Sequence, residues 1–252
     1  MRPTRSVPNT HISERPPRFF LLERFFLFPQ KSEVYPMQFW DFHTHQVKSS
    51  AVVFNDASTP IPETGFFSVG IHPWQVDIHW DERLQEIQQI SKHNLQVLAI
   101  GEAGFDRLKG PETPLQKAAF YAQARWAKTL EIPLILHCVK AHDLLLEYFK
   151  SDPNPPVIIW HGWNLKPDLA RLLLPNPLYF SFGRHLLSPE SNAAKWLFEC
   201  PRDRIFLETD DSGLEIDSIY KAASLILRLP VEEVAELTVA NWNRISKRKI
   251  NE

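Results

Sequence analysis

At 252 residues the chain exceeds one small domain and matches the length at which an α/β barrel closes as a single unit. Hydrophobic residues make up 44% and charged residues 23%, which excludes disordered and fibrous classes. With 28 Lys and Arg against 30 Asp and Glu the net charge is −2, so no global basic field holds nucleic acid, and any such chemistry has to be local.

Residues 1–36 differ from the rest: they carry six of the 21 prolines and a net charge of +3 (six basic, three acidic), against −5 (22 basic, 27 acidic) for residues 37–252. Their aromatic stretch Phe19–Phe28 is interrupted by Glu23 and Arg24 and no small-residue cleavage site follows, so it does not read as a signal peptide. Met37 immediately precedes the first strand-like run, and residues 1–36 are expected to be a dispensable leader; expression from Met37 tests this, and loss of active protein would contradict it. Cys138 and Cys200 form neither a CxxC pair nor a disulfide framework, which points to a reducing, cytoplasmic compartment. No apolar run reaches the ~20 residues of a membrane span.

From there, short apolar runs rich in Val, Ile, Phe and Trp alternate with amphipathic stretches. Strands are expected at 38–43, 51–55, 66–72, 97–103, 133–139, 157–162, 178–183 and 205–209. Helices are expected at 81–92, 141–150, 167–174, 189–199, 215–228 and 231–247. A further helix starts at Thr113-Pro114-Leu115-Gln116, with Thr113 as N-cap, Gln116 completing a capping box, and Leu115, Ala119, Ala122, Trp126 and Leu130 as its buried stripe. Eight strands mostly alternating with helices predict a parallel (β/α)8 barrel. Thr44 to Ser50 is too short for a crossover helix, and 56–65, with Pro60 and Pro62, shows no helical pattern, so the first two barrel helices are expected to be missing or reduced to loops. The outer face of the second strand then needs another cover, either the aromatic leader segment or a second copy of the chain.

In such a barrel, chemistry sits at the C-terminal ends of the strands. The first strand ends Asp41-Phe42-His43-Thr44-His45, with two imidazoles at i and i+2 pointing the same way. An HxH pair alone is weak. The fourth strand, however, brings Glu102 into the mouth, and a carboxylate there is costly to bury unless it meets a cation. The fifth and sixth strands each add one histidine after three apolar residues, His137 and His161, and the eighth ends Glu208-Thr209-Asp210. Four histidines and two carboxylates at one end of five strands make the mixed N/O donor set of a two-metal hydrolytic site.

The series Asp41-x-His43-x-His45, Gly70-Ile71-His72-Pro73, Gly101-Glu102-Ala103-Gly104-Phe105-Asp106, His137-Cys138-Val139-Lys140-Ala141, Trp160-His161-Gly162, Glu208-Thr209-Asp210 and Ala240-Asn241-x-x-Arg244 resembles the TatD family of metal-dependent hydrolases, across essentially all of residues 37–252. The resemblance implies a TIM-barrel hydrolase with two divalent metal ions (Mg, Mn or Zn), often a deoxyribonuclease. By position, it implies that His43, His45, Glu102 and Asp210 hold the first metal, and that Glu102 bridges to a second completed by His137 and His161. His72 would lie near the substrate and Lys140 would contact phosphate. Asp210 would take the proton of the attacking water, whose pKa a metal lowers from 15.7 towards about 7. Asp41 and Glu208 would fix imidazole or backbone orientation from behind.

The sequence departs from the family pattern at Lys140, where the family usually has Arg and its bidentate fork, and at Asp211-Ser212-Gly213, where a small residue and Pro are usual. Trp74, Trp163 and Phe182 near the mouth are candidates for base stacking or for ordinary packing. DNA or another phosphodiester is the expected substrate, with no membrane partner. The competing readings are an amidohydrolase-like C–N or ester hydrolase, and a metal-stabilised scaffold without activity.

Overall fold

The computed structural model describes residues 38–56 and 62–251. Eight parallel strands lie in chain order: β1 (Asp41–Thr44), β2 (Ala51–Asp56), β3 (Phe66–Gly70), β4 (Val97–Asp106), β5 (Leu134–Val139), β6 (Ile158–Trp160), β7 (Leu178–Phe182) and β8 (Ile205–Leu207). A parallel bridge between Thr44 and Asp210 brings the end of the β8 segment back to β1 and closes the barrel. Helices α1 (Trp80–His93), α2 (Thr113–Leu130), α3 (His142–Ser151), α4 (Pro167–Leu173) and α5 (Asn192–Glu199) follow β3 to β7 one by one, and α6 (Ile216–Leu227) and α7 (Val231–Ile245) follow β8.

Strict alternation of side chains divides the strands into two apolar layers. Phe42, Val52, Ala99, Ile135, Ile159, Tyr179 and Phe206 fill the barrel, sealed by Trp40 and by Trp242 from α7. The opposite faces, including Val53, Phe67, Val69, Leu134, Leu136, Ile158, Trp160, Leu178, Phe180, Ile205 and Leu207, form a second core with the surrounding helices. Burying each such side chain contributes roughly 1.5–3 kcal/mol relative to exposing it.

Among the described residues, neither the β1–β2 nor the β2–β3 connection contains a helix, as the short and proline-bearing segments required. Residues 57–61, and the expectations placed on the leader 1–36, lie outside the described residues. Among the described residues no helix is long and apolar enough to cross a membrane.

Two expectations for α2 are corrected. Its N-cap is Glu112, not Thr113, and no side chain caps it. Of its expected stripe, Ala119 and Ala122 are buried and Leu115, Trp126 and Leu130 are half-buried against the core, while the deepest row is Gln116, Ala119, Phe120, Gln123, Ala124 and Ala127. The glutamines face inward because strand ends leave buried peptide groups that need partners. Gln116 accepts from Asp106 N (2.8 Å) and donates to Asp106 O (2.9 Å), while Gln123 accepts from Ile71 N (2.7 Å) and donates to Ile71 O (3.2 Å). Thus α2 clamps the ends of β3 and β4, beside His72 and Glu102.

Candidate metal centre

Alternation places half of the site directly. Ile135 and Ile159 face the barrel interior, so His137 and His161 two residues on do too, and Glu208 follows Phe206 in the same way. Strands β1 and β4 reach the site differently. From Asp41 to Thr44, β1 advances three residues against two on β2, and from Ile100 to Ala103, β4 advances three against two on β5. Such bulges re-aim side chains, here His43 and Glu102. Glycine is required in β4: Gly101 has φ 133° and a Cβ there would lie 2.5 Å from Ile135 O, while Gly104 has φ 155° and a Cβ would fall on the His137 carbonyl oxygen. After β8, Asp210 adopts a left-handed φ of 53°, tolerated by Asp and fixed by Asp210 N–H to His43 O (3.0 Å) and His45 N–H to Asp210 O (3.3 Å).

Glu102, 2% exposed, sits at the middle with its two oxygens facing different neighbours. Oε1 lies 3.3 Å from His43 Nε2 and 3.1 Å from His45 Nε2. Those nitrogens are in turn 3.6 and 3.4 Å from Asp210 Oδ1. Oε2 lies 2.9 Å from His161 Nε2, 3.2 Å from His137 Nδ1 and 3.6 Å from His72 Nε2. His137 Nδ1 is also 3.3 Å from both His161 Nε2 and His72 Nε2. All six expected ligands therefore meet, and His72 lies among them rather than at their edge.

The donor set fits divalent ions. Ligand atoms ~2.1 Å from a shared ion in tetrahedral array stand about 3.4 Å apart, which these separations match. His43 Nε2 and Glu102 Oε1 are buried without a directed hydrogen bond, a costly arrangement in a neutral site and an ordinary one for ligands. Among the described residues, three groups of ligand atoms are close enough to hold an ion: His43/His45/Glu102, His43/His161/Asp210 and His72/Glu102/His137.

The electrostatics agree. Burial alone would raise Glu102, but His161 and His43, with hydrogen bonds from His137 and His161, hold it well below the usual carboxylate range. Burial also opposes ionisation of Asp210, yet His43 and His45 hold it down. Burial works against charge on His43, and Glu102 above all overcomes it, raising the group well above an ordinary histidine. His45, at the open side, is raised to about 9 through Asp210 and Glu102. His72 is pushed down to about 4 by burial, against the pull of Glu102, so the ring is neutral at neutral pH; its Nδ1 accepts from Trp74 N (3.2 Å), which leaves the proton on the Nε2 that faces Glu102.

Asp41 holds backbone rather than imidazole: Oδ1 accepts from Thr209 N (2.9 Å) and Oδ2 from Thr209 Oγ1 (2.5 Å), pinning the residue before Asp210. Glu208 accepts from Gly162 N (2.5 Å) and lies 3.9 Å from His161 Nδ1, behind that ligand. Lys140 is exposed at the rim in a left-handed turn (φ 54°). Of the three stacking candidates, only Trp74 is open, at 47% exposure; Trp163 and Phe182 are fully buried. Gly162 turns the chain there (φ 63°), and the Trp163 ring packs against Phe180 at 4.7 Å. Sequence reasoning missed Asp106, which lies on β4 with Oδ2 2.6 Å from Trp74 Nε1, as acceptor, and 3.4 Å from His137 Nε2. Its spacing of four from Glu102 along the strand was the available signal.

The family model described as "TatD related DNase" matches residues 41–247. The chain belongs to the TatD family of metal-dependent hydrolases. It is 22% identical to the uncharacterized metal-dependent hydrolase YjjV of Escherichia coli K12, covering 70% of this chain and 74% of that one. It is 26% identical to YabD of Bacillus subtilis 168, described likewise, covering 71% and 76%. A Musicola paradisiaca relative called a 3'-5' ssDNA/RNA exonuclease TatD is 30% identical over 57% of this chain and 55% of its own. Among solved structures, YjjV from E. coli superposes with a TM-score of 0.61 at 23% identity, over 72% of this chain and 76% of that one. A TatD family hydrolase from Entamoeba histolytica gives 0.60 at 16% identity, over 73% and 75%.

Proposed function

We propose that this chain is a metal-dependent phosphodiesterase that hydrolyses DNA from strand ends. The observation that carries the reading is the division of Glu102, with one oxygen toward His43, His45 and Asp210 and the other toward His137 and His161. In this reading His43, His45, Glu102 and Asp210 would hold one divalent ion, and Glu102, His137 and His161 would hold another, with His72 beside the second set. Bound Mg, Mn or Zn would supply an acidified water and neutralise charge developing on the phosphoryl oxygens.

The side chains do the rest. Asp210 is 31% exposed, the most open carboxylate in the set, so it accepts the proton of the attacking water and orients it. Asp41 and Thr209 keep Asp210 in its left-handed turn, and Glu208 keeps His161 in place. Lys140 at the rim meets a substrate phosphate as a point charge. A strand end suits a site at the bottom of a barrel mouth, and the relatives called ssDNA/RNA exonucleases support that choice.

The test is stepwise return of Mg, Mn or Zn to metal-stripped chain, assayed on bis-p-nitrophenyl phosphate, end-labelled single-stranded DNA and a p-nitrophenyl carboxylic ester. Turnover of both phosphodiesters as two ions bind is the expected result. Turnover of the ester alone would overturn the reading in favour of carboxyl chemistry.

A further inference from the structure

The cavity over the metal centre does not end at the barrel mouth. Its wall of Cys138, Val139, Trp160 and Leu165 is shared with a second cavity of about 500 Å³, which Ala141 and Leu169 continue and at which Lys140 and Lys166 stand exposed. The two cavities are the two faces of one strand pair. His137 and His161 point inward, so Cys138 and Trp160, their immediate neighbours in sequence, point outward. Consecutive Cα atoms are 3.8 Å apart, so the second cavity begins one residue from two of the metal-facing histidines.

The fold has not filled this space, and it has placed two cations and the exposed His142 at an otherwise apolar opening. Lys140 is held there by its turn, whose carbonyl accepts from Arg107 Nη1 (3.1 Å), and Arg107 is itself fixed by two bonds to Asp143 (2.8 and 2.6 Å). An apolar slot with cations beside it complements a flat uncharged ring carrying phosphates on either side. Its volume lies within the 300–1,000 Å³ typical of small-molecule sites.

We infer that this cavity receives the nucleobase adjoining the scissile phosphodiester, with Lys140 and Lys166 on the flanking phosphates. The inference rests on the nuclease reading and deepens it. A base can enter only when it is out of a duplex stack, so the cavity selects single-stranded ends. Lys140 then acts in substrate positioning rather than at the reacting phosphorus, which removes the need for a bidentate fork at that position.

The experiment uses the metal-loaded full chain and a set of end-labelled single-stranded oligonucleotides in which one abasic unit is moved a nucleotide at a time from the end. The abasic unit next to the scissile bond is expected to lower kcat/KM about tenfold, whereas one several nucleotides away has little effect. Leu169→Trp, which fills the cavity from α4, should bring the intact-to-abasic ratio close to one. Lys166→Glu should make log kcat/KM less steep against log salt by about 0.7, the contribution of one single-strand phosphate contact. Equal cleavage of intact and abasic ends by the unaltered chain overturns the nucleobase pocket and leaves the nuclease reading standing. Cleavage of neither overturns both. An intact-to-abasic ratio that survives in folded Leu169→Trp places base recognition elsewhere and likewise overturns the pocket.

Discussion

If Glu102 serves both ligand sets, removing it has to empty both together. In Glu102→Ala the first set loses the oxygen 3.3 and 3.1 Å from His43 and His45, and the second loses the oxygen 2.9 and 3.2 Å from His161 and His137. Losing even a partner that only supports a ligand costs about 10- to 100-fold in metal affinity, so losing a ligand itself should raise each ion's dissociation constant by at least about that much. His161→Ala, by contrast, leaves His43, His45, Glu102 and Asp210 in place and should mainly weaken one ion. Metal content per chain after dialysis against a graded series of free metal concentrations separates the two patterns. Circular dichroism controls for folding, because the remaining histidines would be left without their central anion. A normal two-ion stoichiometry in Glu102→Ala, or loss of only one ion, would refute the bridging arrangement.

Asp210→Asn should keep the fold and most of the metal but lower turnover about 10²- to 10⁴-fold, the usual contribution of a positioned base; steady-state rates at saturating metal check this, and an active variant refutes the role. Metal-stripped chain should lose stability as pH rises from about 6.5 towards 9. The folded values of His43 and His45 are raised, the latter to about 9, so their stabilising charged forms are fully present below the unfolded value and disappear above it. Melting temperatures across that window check the sign, and a rising Tm in stripped protein contradicts it. Gly104→Ala should push β5 at His137 away from β4, because its Cβ has no room beside the His137 carbonyl and φ is 155°. A lowered Tm together with weaker binding of one ion would be seen, and wild-type values for both would show that the close approach is dispensable.

The parts of the molecule legible in the sequence are those governed by local rules. His137 and His161 were readable because β5 and β6 alternate without interruption, so each histidine shares a face with Ile135 or Ile159 two residues earlier. The missing helices were readable from segment length, since residues 44–50 cannot hold a crossover. What escaped depends on partners distant in the chain. Gln116 fits a capping box by spacing, and only the buried end of β4 draws its side chain inward instead. Trp163 follows a strand-terminal histidine and so reads as a mouth residue, until the turn at Gly162 and the Phe180 ring carry it into the core.

The same dependence explains why Asp106, marked in the sequence only by its spacing from Glu102, was passed over and why it matters. Two glycines precede it, at Gly101 and Gly104, and glycine in a strand interior ordinarily weakens the strand. Here they do the opposite: they permit β4 to pass close to β5 and continue, paired residue by residue, to Asp106 opposite Val139. The continued strand carries an acidic side chain to the outer nitrogen of His137, while Glu102, four residues earlier, faces the inner one. One strand thus supplies both a carboxylate for the ligand set and a carboxylate that holds one of its histidines from behind. Trp74, half exposed at the mouth and bonded to the same Asp106 oxygen, completes a path from the rim to His137.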